Sequence, residues 1–150
     1  MELFRISLIK YSDKLQATGC ANRWNRQGQY VIYAAGSRSL STLELIVHKG
    51  AVNPSDNFKV MVISIPDDEK FIKQIKIKNL SDNWRKISGY SELQELGTKW
   101  YIKNESLVLK VPSAIIPYEY SYMINTEHPD FKKNVKLVRV EDYFWDERLF

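Results

Sequence analysis

The chain has 150 residues, of which 44% are hydrophobic and 27% charged, and its formal net charge is +4. This composition excludes collagen-like, low-complexity and disordered chains, and it is sufficient for one domain, residues 1–150, with its own core. The longest apolar run covers only residues 30–35, so we expect a cytoplasmic protein with no membrane span and no targeting segment.

The N-terminal third of the chain predicts two strands followed by a helix. Residues 3–9 and 30–34 are apolar runs typical of strands, and the second is apolar enough to be buried. Ser37 stands where a helix N-cap belongs, and residues 38–49 carry apolar side chains at helical spacing. Gly50 supplies the helix stop.

The rest of the chain predicts four more strands and one more helix. The strands are predicted at residues 58–65, 73–78, 107–111 and 135–140. The first is apolar on both faces, which predicts burial on both sides, and the second alternates lysine or glutamine with isoleucine, as a half-exposed strand does. Residues 91–103 have helical spacing, although Gly97 weakens that prediction. Together these elements predict an α+β fold: a single domain with central, twisted, mostly antiparallel β-sheets and a few helices.

The sequence lacks the motifs of most catalytic and metal sites. No two of its six glycines are two residues apart, which excludes the dinucleotide-binding fingerprint and the nucleophile elbow. The single cysteine, Cys20, excludes an internal disulfide and all paired-cysteine metal sites. His48 and His128 are 80 residues apart, and each is interpreted as local structure, His48 at a helix end. We therefore expect no metal.

Glu44 is the first of three polar features set against apolar surroundings. At helical spacing it lies about 40° from Leu40 and about 60° from Val47, so it borders the face that packs on the core. A carboxylate in that position loses solvation. It either pairs locally, as a boundary glutamate commonly does, or is held for chemistry.

The other two features are a polar loop and a strand end. Residues 22–28 place Arg23 and Trp24 in a loop before the buried strand, where the guanidinium suits an anionic oxygen but a surface hairpin is equally consistent. Ser113 ends a predicted strand, and a tyrosine-rich stretch at 118–122 follows before Asn125. Such aromatics, set between turn residues, form either the rim of a core or a stacking surface for a flat ring.

In their order along the chain, these features resemble the RES domain, a family named for its Arg, Glu and Ser. The likeness covers nearly the whole chain, and its matching segments are Phe4-Arg5-Ile6, Arg23-Trp24-Asn25, Tyr33, Leu43-Glu44-Leu45, Val111-Pro112-Ser113 and residues 125–131. One departure is Asn22, which stands where the family usually has glycine. Asparagine tolerates left-handed backbone better than most residues, so the turn is compatible with it.

The resemblance implies an ADP-ribosyltransferase-like core and a toxin of a bacterial toxin–antitoxin pair. Such toxins consume NAD as a substrate, with no other cofactor, by breaking the nicotinamide–ribose bond, with water (NAD glycohydrolase) or phosphate (NAD phosphorylase) as the acceptor. Carried over by position, the catalytic residues are Glu44, Arg23 and Ser113. The substrate-binding residues are Tyr33, which would face the nicotinamide, together with Asn125, Trp24 and Asn25. No metal is implied.

The resemblance also implies a cognate antitoxin, with a helix-turn-helix domain, that covers the pocket between the Arg23 loop and Ser113. Two other functions stay open. The same pocket would serve a protein ADP-ribosyltransferase, whereas the net charge and nine tyrosines are compatible with a basic nucleic-acid-binding or ribonuclease toxin. Water is slightly favoured as acceptor, because Asn22 hinders close backbone approach and only Arg26 and Arg38 are nearby in sequence to bind a second anion.

Overall fold

The computed structural model of the chain describes residues 1–49, 53 and 56–149. The strands are β1 (Glu2–Leu8), β2 (Val31–Ala35), β3 (Phe58–Ser64), β4 (Ile72–Gln74), β5 (Val108–Pro112), β6 (Tyr120–Asn125) and β7 (Lys136–Asp142). They form a seven-stranded sheet with the order β4-β5-β6-β2-β1-β3-β7. The β4–β5 pair is parallel and the other pairs are antiparallel. The predicted α+β architecture is confirmed.

The helices are α1 (Arg38–Lys49), α2 (Tyr90–Lys103) and α3 (Phe131–Asn134). The predicted N-cap of α1 is confirmed, since the Ser37 hydroxyl accepts a hydrogen bond from the Leu40 amide at 3.1 Å. The predicted stop at Gly50 lies outside the described residues. Within the described part of the chain, no helix combines the length and apolar character that crossing a membrane requires.

The core lies on both faces of the sheet, as the apolar pattern of β3 requires. Residues 60–63 of β3 are all buried, which confirms a strand covered on both sides. On one face Leu45 of α1 packs with Phe4 and Ile6 of β1. On the same helix-covered side of the sheet, Trp100 of α2 belongs to a cluster with residues of β5 and β6.

Two predictions along the chain are wrong. The strand predicted at 73–78 is only β4, after which the chain leaves the sheet and forms a short 3-10 turn at Ile77–Asn79. The alternation of lysine and isoleucine at 73–78 does not reflect two faces of a strand, since Ile75 is buried beyond the end of β4 while Ile77 is half exposed. The tyrosine-rich stretch contains β6. The sequence interpretation missed this strand, although tyrosines two residues apart have the periodicity of a strand.

The sheet opens between β1 and β2. These strands share one register pair, Phe4 with Ala35, whereas β1 and β3 share seven. Continuing the register would pair Ile6 with Tyr33. Instead, the Ile6 amide donates to the Ser41 hydroxyl at 3.1 Å, and the Tyr33 carbonyl accepts from the Arg5 guanidinium at 3.2 Å. Side chains thus satisfy the backbone groups that the ladder leaves unpaired, and a cleft results.

Candidate functional site

A cavity of about 290 Å³ lies where β1 and β2 separate. Glu44 and His48 of α1 form one wall, and the loop with Arg23 and Trp24 forms another. Tyr33 of β2 lies between these walls. The volume is near the lower end of the range of small-molecule sites.

The loop that carries Arg23 is a tight turn closed by reciprocal backbone hydrogen bonds between Asn22 and Asn25. One guanidinium nitrogen of Arg23, Nη1, donates to the carbonyl of Arg85 at 3.0 Å and to that of Trp84 at 3.4 Å. The guanidinium also lies over the ring of Tyr90, with Cζ 4.6 Å from its centroid. In the part of the chain that the structure describes, Nε and Nη2 of Arg23 carry no hydrogen bond, so these donors remain available.

Tyr33 is fixed by its hydroxyl group. The hydroxyl donates to Asn25 Oδ1 at 2.6 Å and accepts from the Trp24 amide at 3.1 Å. Burial raises the pKa of Tyr33 well above its usual value, and the hydrogen bond from the Trp24 amide opposes that shift. Because the hydroxyl is occupied, Tyr33 offers its ring rather than a hydrogen bond to a ligand. Asn25 is almost fully buried and lies behind this ring instead of lining the cavity.

Glu44 lines the cavity from α1 with a side chain that is 25% exposed. Its Oε2 lies 3.1 Å from His48 Nε2, one helical turn away. Its Oε1 accepts a longer hydrogen bond, 3.5 Å, from the Ser121 hydroxyl of β6. Glu44 therefore lies at the predicted border of the core-facing side of α1, and at that position its carboxylate forms part of the cavity wall.

Arg5 is a second cation of the cavity, and the sequence analysis did not assign it a role. Its hydrogen bond to the Tyr33 carbonyl is its one polar contact among the described residues, and no carboxylate there forms an ion pair with it. Burial lowers the pKa of Arg5. A half-buried arginine with most of its donors unused, in the wall of a cavity, is suited to an anionic group of a ligand.

Ser113 and Asn125 lie outside the lining of the cavity. The Ser113 hydroxyl accepts hydrogen bonds from the amides of Ile115 and Ile116, both at 3.1 Å, and so closes the turn after β5. The Asn125 side chain is fully buried, donates to Asn104 and accepts from the Glu127 amide. Contact of either residue with substrate stays a prediction.

Of the residues predicted from the sequence, the structure brings Arg23, Trp24, Tyr33 and Glu44 together around the cavity. Arg5, His48 and Ser121 also line the cavity, and the sequence analysis gave them no role in the site. Arg5 was detectable as a cation inside an apolar strand, and His48 by its spacing of four from Glu44. Ser121 gave no signal, because its approach to Glu44 depends on the pairing of β6 with β2.

The arrangement provides a carboxylate, two guanidinium groups and an aromatic ring around one space. Glu44 is the one acidic side chain among the described residues that line the cavity. Such a set can bind an anionic ligand, stack a flat ring and stabilise a positive charge that develops beside the carboxylate. Among the described residues, no group of three or more His, Cys, Asp or Glu side chains is placed to hold a metal ion.

Comparison with known proteins gives consistent matches over the whole chain. The family model described as "RES domain" matches residues 3–146. "Toxin Res" of Photorhabdus laumondii is 33% identical over 99% of this chain and 97% of its own length. "Toxin Res" of Pseudomonas putida is 34% identical over all of both chains. "Prs ADP-ribosylating toxin" of a Sphingobium species is 30% identical over 92% of this chain and 88% of its own.

Proposed function

The chain belongs to the RES domain family, and from that premise we propose that it is a toxin that cleaves the nicotinamide–ribose bond of NAD. The observation that carries the proposal is the cavity, whose described lining includes one carboxylate, Glu44, and two cations, Arg5 and Arg23. Its relatives support it too, since one of them is named an ADP-ribosylating toxin. ADP-ribosylation and NAD hydrolysis break the same bond and differ in the acceptor.

Cleavage of the nicotinamide–ribose bond requires only one carboxylate. Nicotinamide leaves as a neutral ring, so no general acid has to protonate it, in contrast to the paired carboxylates of a sugar–oxygen cleavage. The ribose carbon that loses nicotinamide becomes cation-like in the transition state. Glu44, at the cavity wall, stabilises that charge by its ionised carboxylate and orients the incoming acceptor.

The two guanidinium groups bind the anionic part of the substrate. Arg23 keeps Nε and Nη2 available while Nη1 is held by the 84–85 backbone. Arg5 presents its unused donors from β1. The ring of Tyr33 supplies a flat apolar surface for the nicotinamide, since its hydroxyl is taken by Asn25 and Trp24.

We favour water as the acceptor. The pyrophosphate of NAD carries two charges, which Arg5 and Arg23 match. Neither Arg26 nor Arg38 lines the cavity, and Arg38 makes a bidentate pair with Glu141 at 2.8 and 2.9 Å. No further lysine or arginine is present among the described lining residues to hold a phosphate acceptor. The products are then ADP-ribose, nicotinamide and a proton.

The experiment is product analysis by mass spectrometry after incubation of the purified chain with NAD. We expect equal amounts of nicotinamide and ADP-ribose, at a rate that does not depend on phosphate. A rate that rises with phosphate, with a phosphorylated ADP-ribose as product, would replace water by phosphate as the acceptor. No loss of NAD in either buffer would contradict the proposed function.

Protein ADP-ribosylation is the second candidate, because one relative carries that activity in its name. The cavity is compatible with it, since the acceptor enters from the solvent side of the ribose. Incubation with labelled NAD and a bacterial protein extract separates the two. Label bound covalently to protein, with little free ADP-ribose, supports transfer, whereas free ADP-ribose with unlabelled protein supports hydrolysis.

We also propose that a cognate antitoxin protects the cell by covering the cavity, since uncontrolled NAD loss is lethal to the cell that makes the toxin. Occlusion predicts that a bound antitoxin prevents NAD from entering, so that NAD consumption stops while the toxin stays folded. Titration of the toxin with its antitoxin, followed by nicotinamide release, measures this. A complex that cleaves NAD as fast as the free toxin would contradict occlusion.

A further inference from the structure

One face of α1 is directed at the cavity. Ser41, Glu44, Leu45 and His48 all line it, and their spacing of three, four and seven residues places them on a single side of the helix. Ser41 already has a role there, since its hydroxyl accepts from the Ile6 amide where the sheet opens. His48 is the polar residue of this face that the proposed reaction leaves without a role.

The two oxygens of Glu44 are held unequally. His48 Nε2 lies 3.1 Å from Oε2, whereas the Ser121 hydroxyl reaches Oε1 only at 3.5 Å, the limit of a hydrogen bond. Within the described part of the chain, no lysine or arginine pairs with Glu44. The direction of this carboxylate therefore depends mainly on His48.

A glutamate side chain has three rotatable bonds, and the charge of Glu44 is useful only if it points at the ribose. A misplacement of about 1 Å can cost about 100-fold in rate. A lysine or arginine partner would fix the carboxylate but would also neutralise its field. The imidazole of His48 makes a single contact, to Oε2, and leaves Oε1 with only the long contact to Ser121, so that oxygen stays available to the developing cation.

We propose that His48 is a positioning residue, which holds the Glu44 carboxylate toward the ribose carbon that loses nicotinamide. This role rests on the proposed NAD cleavage. His48 acts through Glu44 and binds no substrate group itself. Loss of His48 therefore affects the chemical step and leaves NAD affinity nearly unchanged.

The test compares His48→Phe, which removes the donor, with His48→Gln, which keeps an N–H donor on a side chain of similar reach. We expect kcat for nicotinamide release to fall about tenfold or more in His48→Phe, with KM for NAD within about twofold. His48→Gln is expected to recover most of that loss. The matched control is Lys99→Met, which removes the i+4 partner of Glu95 at 3.2 Å on α2, outside the cavity, and is expected to leave both constants unchanged.

Circular dichroism and thermal unfolding of each variant show whether α1 stays folded. A folded His48→Phe with wild-type kcat overturns the positioning role, as does a His48→Gln that is as slow as His48→Phe. A change confined to KM overturns it also, because it assigns His48 to binding. If the wild-type chain releases no nicotinamide, the proposed function itself is contradicted, and so is the positioning role of His48, which depends on it. That result is distinct from an active wild type with an equally active His48→Phe.

Discussion

The two walls of the cavity are held in place by different means. On the proposed binding wall, formed by residues 22–29 and β2 and called the binding wall, the contacts centre on the buried side chain of Asn25: it accepts from the Tyr33 hydroxyl at 2.6 Å and donates to the Cys20 carbonyl at 2.9 Å. On the catalytic wall, formed by α1, Glu44 relies on His48 at 3.1 Å, and the two side chains are 25% and 39% exposed.

The difference teaches which part of the site is preorganised. Buried hydrogen bonds with satisfied partners fix the binding wall before substrate arrives, which lowers the entropic cost of binding. An exposed pair on a helix surface holds its carboxylate more loosely. Substitutions on the binding wall should therefore change both stability and affinity, whereas those on the catalytic wall should change turnover alone.

Glu44→Gln is expected to have the largest effect on turnover. Removing one preorganised electrostatic stabiliser typically costs about 100-fold or more in kcat. Because Glu44 is partly exposed, we expect the thermal unfolding temperature to stay near that of the wild type. Nicotinamide release measures kcat, and calorimetry measures the unfolding temperature. A folded variant that turns over NAD within a few-fold of wild type would exclude Glu44 as the catalytic carboxylate.

Arg23→Lys tests whether the binding wall needs the guanidinium geometry. Arg23 donates from Nη1 to backbone carbonyls while Nε and Nη2 stay available for a ligand, and a lysine ammonium cannot do both. We expect kcat/KM to fall about tenfold or more, nearly as far as in Arg23→Ala. Steady-state kinetics with NAD measure this. Normal activity of Arg23→Lys would mean that only the charge matters.

Tyr33→Phe tests the buried hydrogen bonds of the binding wall. It leaves Asn25 Oδ1 and the Trp24 amide without their partner, which costs about 1–3 kcal/mol of unfolding free energy. Chemical denaturation at pH 7 measures that cost. An unchanged unfolding free energy would show that these hydrogen bonds do not hold the wall.

The unfolding free energy at alkaline pH tests the Tyr33 hydroxyl separately. Since burial raises the pKa of Tyr33, the folded chain keeps its phenol proton where the unfolded chain loses it. The stabilisation from this proton is fully present below pH 10, the unfolded value, and is lost as pH rises toward the higher folded value. The wild type should lose up to about 1.4 kcal/mol per pH unit relative to Tyr33→Phe in that range. Parallel curves for the two proteins would contradict this.

Arg38→Ala should have the smallest effect. Arg38 joins the start of α1 to Glu141 of β7 by an exposed bidentate pair, and its guanidinium covers the ring of Phe4. Exposed ion pairs contribute little, so we expect turnover within about twofold of wild type. A large loss of turnover would show that the catalytic wall is positioned from its surface rather than from His48.

Local sequence patterns were enough to predict the parts of the fold that depend on near neighbours. The cap and extent of α1 followed from Ser37 and the spacing of its apolar residues, and the burial of β3 followed from its uninterrupted hydrophobicity. Glu44 was detectable because its boundary position is a property of the helix alone. The strand predicted at 73–78 had a strand pattern, but β4 ends at Gln74: Ile75 still donates to the Lys110 carbonyl of β5 at 2.9 Å, and the chain then turns at 77–79.

The parts that depend on distant contacts could not be predicted. Arg5 stands out as a cation inside an apolar strand, but its place in the cavity depends on the separation of β1 from β2, which local patterns do not specify. Gly97 is a second example. It weakened the prediction of α2, yet a Cβ at that position would lie 1.7 Å from the Trp24 carbonyl oxygen, so glycine there lets the Arg23 loop approach the helix.

The single register pair between β1 and β2 has a consequence for motion. It divides the backbone ladder into one half with β4, β5, β6 and β2 and another with β1, β3 and β7. Rotation of one half against the other breaks few backbone hydrogen bonds. For this reason, the two halves should separate from each other more often than the strands within either half separate. We therefore expect amide hydrogen exchange to show two cooperative units, with the hinge at Phe4 and Ala35. The width of the cavity entrance between β1 and β2 is then expected to fluctuate thermally.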